Sequence, residues 1–373
     1  MAQGEKVRVA LVHDYLNQFG GAERVLFTLG EMFPEASIYT PLHEKESLNG
    51  RLKNREIKTS FLDKPFVRRH HRLFIQFMPK AAEMLNLGKE YDLIISDSAS
   101  FAKGVSYDSG FHASYLHAPL RYAWEPEMYL GTLFSSRFIK LTSPILNYLQ
   151  RWDKKAAGKP DILFTNSNFI ANKIRQYYER EATVIYPPVD TDTFYPEETE
   201  VIEDPYYLAF GRIVHFKRFD LIVEAFNELR LPLKIIGSGK EETNVRRMIR
   251  SPYIKMSTEV KDENELRKII NGARAVLFPQ IEDFGLVAAE SIACGTPVIA
   301  YNKGGALEIV EDGVNGIFFE EQTPKSLAGA VKRFDKMSFK KEDVSKTAEK
   351  FSKDNFKIKF LRSLKEALAG GRR

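Results

Sequence analysis

Two glutamates eight positions apart, Glu282 and Glu290, bracket Asp283-Phe284-Gly285-Leu286 in the second half of the chain. A strand reading over 275–279 and a helix reading over 286–294 put Glu282 in the loop between them and Glu290 beyond the first helical turn. Backbone N–H groups at Phe284, Gly285 and Leu286 then lack intrahelical partners and can hold an anion or sugar hydroxyls. Upstream, Gly211-Arg212-Ile213-Val214-His215-Phe216-Lys217 follows a strand reading over 207–211 and opens a helix over 219–229. A guanidinium at Arg212 and an ammonium at Lys217 can neutralise a diphosphate, the first as a bidentate partner and the second as a point charge. Each feature alone has a plain reading: a helix-start charge for Glu282, a solvated face for Glu290, a basic surface loop for the cations. Their combination points to a phosphorylated ligand.

In the first half, His117 ends a strand reading over 113–117 and is followed by Ala118-Pro119-Leu120-Arg121. Gly20-Gly21 precede a helix reading over 22–32, a pair that permits positive φ and close backbone approach to phosphate or sugar. Other features carry less chemistry. Asp190-Thr191-Asp192 spells an acidic pair of the metal-holding kind, but it follows Pro187-Pro188 and reads as a turn. Gly237-Ser238-Gly239 lacks the third glycine of a dinucleotide fingerprint. His112 with His117, or His70 with His71, makes no persuasive metal site. Cys294, the single cysteine, reads as packing and excludes an intrachain disulfide or a multi-cysteine metal centre.

The elements that position these residues alternate strand and helix. Strand readings over 7–13, 38–40, 93–96, 113–117, 162–166 and 183–185 are interrupted by the proline-rich stretch from Tyr186 and the acidic run from Glu197 to Asp204. The alternation restarts with strands over 207–211, 233–236, 275–279 and 298–301 and ends in an amphipathic helix over 351–368. The expected fold class is therefore α/β, with two doubly wound parallel sheets and a cleft between them. The expected domains are 1–188, 189–350 and a closing helical segment 351–373. A length of 373 residues with 43% hydrophobic content fits two globular domains. No apolar run reaches membrane-spanning length and no signal core follows the first residues, so a cytoplasmic place is expected. A net charge of +5 is too mild to call for nucleic acid.

On Gly20-Gly21-Ala22-Glu23-Arg24, His117, Arg212 with Lys217, Glu282 through Glu290, and Gly304-Gly305 with Glu308, nearly the whole chain resembles family 4 of the retaining glycosyltransferases. Those enzymes have the GT-B fold of two Rossmann-like domains with a C-terminal helix that crosses back to the first. His13-Asp14-Tyr15 and the stretch from His117 to Trp124 look closest to mannosyltransferases of bacterial surface-polysaccharide assembly. The resemblance implies a donor-binding second domain and an acceptor-binding first domain. Arg212 and Lys217 would hold the donor diphosphate, Glu290 the ribose, and Glu282 the sugar hydroxyls, with help from the backbone of Phe284, Gly285 and Leu286. Gly20 and Gly21 would approach the donor, His117 would lie near the transferred sugar, and Arg121 would meet the acceptor. The implied reaction needs no metal or other cofactor. It moves a hexose, mannose from GDP-mannose, to a lipid-linked saccharide. A UDP-sugar donor, a GT-B epimerase or phosphorylase, and a non-catalytic nucleotide-sugar binder are the competing readings. No phosphorylase-type pyridoxal-phosphate lysine motif is found. Residues 64–80, from Lys64 to Lys80, carry five Lys/Arg, two histidines and no carboxylate among apolar residues. That composition suits either the anionic inner face of a membrane or a core helix with a basic solvent side.

Overall fold

The computed structural model describes residues 7–18, 20–45, 52, 55–127, 141–197, 205–258 and 260–370; the acidic run beyond Glu197 up to Asp204 and the last two arginines lie outside them. Two compact units emerge, Met1–Tyr186 with Phe356–Arg373, and Pro187–Asn355.

The first unit is built on β1 (Val9–His13), β3 (Ser37–Thr40), β5 (Ile57–Thr59), β6 (Leu93–Ser98), β7 (Phe111–Leu116), β8 (Ile162–Thr165) and β9 (Thr183–Val184), while β2 (Tyr15–Leu16) and β4 (Leu42–His43) pair apart. The large sheet runs β5-β3-β1-β6-β7-β8-β9, with every pairing parallel. Strands covered on both faces are buried along their length, and all six residues of β6 are buried, the apolar Leu93–Ile95 and the polar Ser96, Asp97 and Ser98 alike. Leu11, Ile38, Ile95, Tyr115 and Phe164 form one core with Phe356, Phe360 and Leu364 of the helix Lys353–Ala369.

The second unit repeats the plan with β10 (Tyr206–Phe210), β11 (Leu233–Ile236), β12 (Ile254–Ser257), β13 (Ala273–Phe278), β14 (Val298–Tyr301) and β15 (Gly316–Phe319), ordered β12-β11-β10-β13-β14-β15. Its edge strands β12 and β15 lie outside the expected strands: β12 carries Lys255 and Ser257 and buries only Ile254, and β15 opens on Gly316, so neither is the apolar run that marks β14. Tyr207, Phe226, Ile235, Leu277, Ile299 and Phe319 fill its core.

In each sheet the chain winds outward from its first strand on one side and then returns to the other. The order reverses between β1 and β6 and between β10 and β13. At such a reversal the loops after the two strands diverge and leave a crevice outside their carboxyl ends.

The basic segment 64–80 is not one amphipathic helix. It is broken into Pro65–His70, a tight 3-10 stretch His71–Phe77 and the start of Met78–Glu83. Pro65 and Pro79 sit in the first turns of the two α-helices, where a missing N–H costs nothing, and each therefore marks a new start.

Candidate active site

At the reversal of the second unit, the loop after β10 carries Arg212 and Lys217 and the loop after β13 carries Glu282. Gly211 leaves β10 with φ +127, a backbone angle that favours glycine. Arg212 beyond it is exposed. Lys217 closes a short 3-10 turn, His215–Lys217, and its Nζ pairs with Glu282 Oε1. Gln280 Nε2 also donates to that oxygen, at 3.3 Å. The structure thus brings Lys217 and Glu282 into contact from positions 65 apart in sequence.

Neighbouring glycines hold both loops. A Cβ on Gly237 would stand 1.9 Å from the Gly211 carbonyl oxygen, and Ile213 N–H donates to Ser238 O at 2.8 Å. Gly237-Ser238-Gly239 therefore buttresses the Arg212 loop through close backbone approach. Across β14, Gly305 N–H donates to Glu282 O at 2.8 Å, and a Cβ on Gly305 would lie 2.2 Å from Phe284 O. Phe284 is buried edge-on against Phe351, and Gly285, at φ +116, starts the helix Leu286–Ala293. Glu290 in that helix is 3% exposed, so the solvated-face reading of it is wrong. Asp190 accepts from Lys353 Nζ at 2.8 Å and from Thr193 N–H at 3.3 Å, which makes Asp190-Thr191-Asp192 a tied turn.

In the first unit, β7 ends at Leu116, one position earlier than the sequence suggested, so His117 is the first residue past the strand. Its Nε2 lies 2.6 Å from Asp97 Oδ1, and Asp97 Oδ2 lies 2.9 Å from His13 Nδ1. Farther along, His13 Nε2 is 3.6 Å from Glu23 Oε1. All four side chains are buried. Burial alone would strip the proton from His13, but the hydrogen bonds to Asp97 and Glu23 overcome it and raise its pKa to about 10. Burial likewise favours a neutral Asp97, yet His117 and His13 hold its carboxyl below the ordinary range. Next to this cluster, the Asp14 carboxylate accepts four backbone N–H groups, from Ala99, Ser100, Phe101 and Ala102, at 2.5–2.6 Å. The loops after β1 and β6 are thereby locked together. By contrast, buried His112 bonds Ser96 Oγ at 2.8 Å, and burial pushes its pKa down to about 3, a packed neutral ring.

Two expectations need correction. Gly20 has φ −157, extended backbone open to any residue, so positive φ is not what glycine supplies there. A Cβ at that position would instead crowd the Glu23 carboxylate at 3.2 Å. Gly21 already belongs to the helix Gly21–Met32. Arg121 opens the four-residue helix Arg121–Trp124 and borders a shallow hollow with Trp124, Lys173 and Tyr177. The sequence showed His13, Asp14 and Glu23 only as carriers of the family resemblance, with no role, and did not single out Asp97. The signal available was charge at the carboxyl ends of two strands that otherwise read as apolar.

Residues 190–351 match the family described as glycosyl transferases group 1, and residues 19–193 match glycosyltransferase family 4. The alpha-1,3/1,6-mannosyltransferase ALG2 of Dictyostelium discoideum is 24% identical over 94% of this chain and 96% of its own length. An uncharacterized glycosyltransferase of Methanocaldococcus jannaschii is 27% identical over 54% of this chain and 57% of its own. A D-inositol 3-phosphate glycosyltransferase of Nocardioides sp. is 30% identical over 48% and 47%. The chain spans about half the length of the last two. Among solved structures, Anabaena HepE in complex with UDP aligns with a TM-score of 0.71 at 18% identity, covering 96% of this chain and 100% of that one. The lipopolysaccharide outer core galactosyltransferase WaaB aligns at 0.66 and 16%, covering 96% and 99%. At these identities the likeness is one of fold.

Proposed function

We propose, for a chain whose two halves match glycosyltransferase families on a GT-B fold, that it moves a hexose from a nucleotide-diphosphate sugar to a lipid-linked saccharide with retention of configuration. GDP-mannose is the favoured donor. The observation that carries this reading is the Lys217–Glu282 pair at the strand reversal of the second unit, with Arg212 on the same loop as Lys217. Cleaving a sugar–phosphate bond develops positive charge on the sugar and negative charge on the departing diphosphate. Preplaced cations stabilise that negative charge without reorganising as it grows. Lys217 exchanges Glu282 for a phosphate oxygen when donor arrives, and the released carboxylate accepts from sugar hydroxyls. Buried Glu290 serves the ribose, with the backbone of Phe284, Gly285 and Leu286 close by. Retention then follows from attack on the face the diphosphate leaves, with a phosphate oxygen taking the acceptor proton, so neither glutamate acts as nucleophile. His117, Gly20, Gly21 and Arg121 take the roles the family resemblance assigns to the first unit. No metal enters this scheme.

Mannose is favoured by the relative that aligns along nearly the full length, itself named a mannosyltransferase. A UDP-sugar donor is the second reading, favoured by the structural neighbour solved with UDP and with UDP-glucose. A thermal-stabilisation screen of GDP- and UDP-sugars, followed by a transfer assay, tests both. GDP-mannose should raise the unfolding temperature by mass action and Lys217→Ala should abolish turnover. Stabilisation by UDP-glucose alone would establish the second reading, and stabilisation by neither would remove the donor-site proposal.

The lipid-linked acceptor and a place on an anionic membrane face are supported by the surface of 64–80. Phe66, Leu73 and Phe77 are 61%, 67% and 48% exposed, among exposed Lys64, Arg69, Arg72 and Lys80. Apolar side chains that enter a bilayer and cations that meet its headgroups favour the same surface.

A further inference from the structure

Glu23, His13, Asp97 and His117 form a line of carboxylates alternating with imidazoles through the interior of the first unit, and the donor chemistry makes no use of three of them. Its members come from four elements: the first turn of the helix Gly21–Met32, the end of β1, the end of β6 and the residue after β7. Sheet register sets the middle link, because His13 and Asp97 are direct partners in the β1–β6 pairing. His117 is fixed at its backbone too, with its N–H on Ser98 O at 2.9 Å and its carbonyl accepting from Asn166 at 2.9 Å. The Tyr115 ring meets the His117 ring edge-on with centroids 5.2 Å apart. With Nε2–H given to Asp97, the His117 hydrogen is fixed on that nitrogen and Nδ1 is the ring atom presented to any further partner. At the other end, Glu23 packs where a side chain at Gly20 would begin.

We propose that Asp97, His13 and Glu23 are positioning residues for the transfer reaction, a relay that fixes the ring and tautomer of His117 and couples it to Gly20 at the start of the helix Gly21–Met32. His13, sandwiched by two buried carboxylates, is the cation that lets them lie in one core. A buried carboxylate with no such partner would take up a proton instead. Disturbing any one member therefore shifts the others, and the helix start at Gly20 and His117 respond together. Gly20 belongs to the same device, since a methyl there meets the Glu23 carboxylate.

This inference rests on the reading of His117 as a group at the transfer site, but its test need not. Histidine nitrogen NMR on the full chain reports tautomer and charge without any substrate. In the wild type His13 should keep its imidazolium signature at pH 8.5 and His117 should show the Nε2–H tautomer. Asp97→Asn keeps the shape and removes the charge. It should return His13 toward ordinary titration, give His117 a mixed tautomer, and lower kcat by about 10- to 100-fold while donor KM stays within about threefold. Gly20→Ala, a milder change outside the buried cluster, should shift the His13 signals in the same direction. Asp97→Glu should restore part of kcat, which a merely structural role would not predict. A wild-type His13 that titrates near 6.5, or Asp97→Asn with an unchanged His117 spectrum or kcat within about twofold of wild type, would overturn the relay. Should the wild type transfer no sugar while its spectra show the coupling, the transfer reading fails and the coupling stands.

Discussion

The buried imidazolium makes a stability prediction with a sign and a size. His13 titrates at about 10 in the folded chain against 6.5 when free. A histidine raised in this way adds stability that is complete below 6.5 and disappears as pH climbs through 10, because only the folded state still holds the proton in between. The full shift corresponds to about 5 kcal/mol, and the fall is about 1.4 kcal/mol per pH unit inside that window. From pH 7.5 to 9 the first unit should therefore lose about 2 kcal/mol. Trp124 and Trp152 are the two tryptophans of the chain and both lie in the first unit, so urea unfolding followed by tryptophan fluorescence isolates it. Cys294, whose thiol is pushed up by burial, would add a fall of the same sign at higher pH, but it lies in the second unit. His43, His71 and His112 are lowered, so their contributions change below 6.5 and not in this window. His13→Gln should cost stability at pH 7 and flatten the dependence between 7.5 and 9. A wild-type curve already flat there, or a His13→Gln curve with the same slope, would refute the claim that two carboxylates hold this ring charged.

Further outcomes follow from other contacts. Asp14→Ala strands four backbone donors from 99–102 and should lower first-unit stability by about 3 kcal/mol or more in the same fluorescence assay. Gly305→Ala places a methyl 2.2 Å from Phe284 O, and should displace the Glu282 loop and weaken donor binding by calorimetry. Transfer activity should survive a chelator, and its loss would return attention to the acidic pair at Asp190 and Asp192. Replacing Phe66, Leu73 and Phe77 together with serine should reduce sedimentation with anionic liposomes at low salt, with thermal unfolding of the chain little changed; equal sedimentation would remove the membrane face.

What could be read in the sequence is what lies close in the sequence. Arg212 to Lys217 spans one loop, and Glu282 to Glu290 one strand–helix junction, so spacing alone placed each in the right local setting. Strand–helix alternation gave the doubly wound sheets for the same reason, and it failed at the sheet edges Ile57–Thr59, Ile254–Ser257 and Gly316–Phe319, where a lysine or a leading glycine breaks the apolar run. The buried relay is a different kind of object. His13 and Asp97 stand 84 positions apart and meet only because the sheet places β6 beside β1. A strand pattern says that a strand exists and leaves open which strand it borders. The glycines show the same division. Gly305 and Gly237 are required by backbones that approach from elsewhere in the sheet, and Gly20 by a carboxylate three residues on, although as letters all resemble flexible turns. The two strand reversals then explain why chemistry gathers where it does. Each sheet supplies one pair of diverging loops at its reversal, and in both units a charged side chain from one loop meets partners on the other: Lys217 with Glu282, and Asp14 with the backbone N–H groups of 99–102. The first contact can be exchanged for a ligand because a cation and a carboxylate each accept substitutes. The second cannot, because four amides would be left without a partner, so it is a fixed frame next to Ser98, whose carbonyl oxygen accepts the His117 N–H.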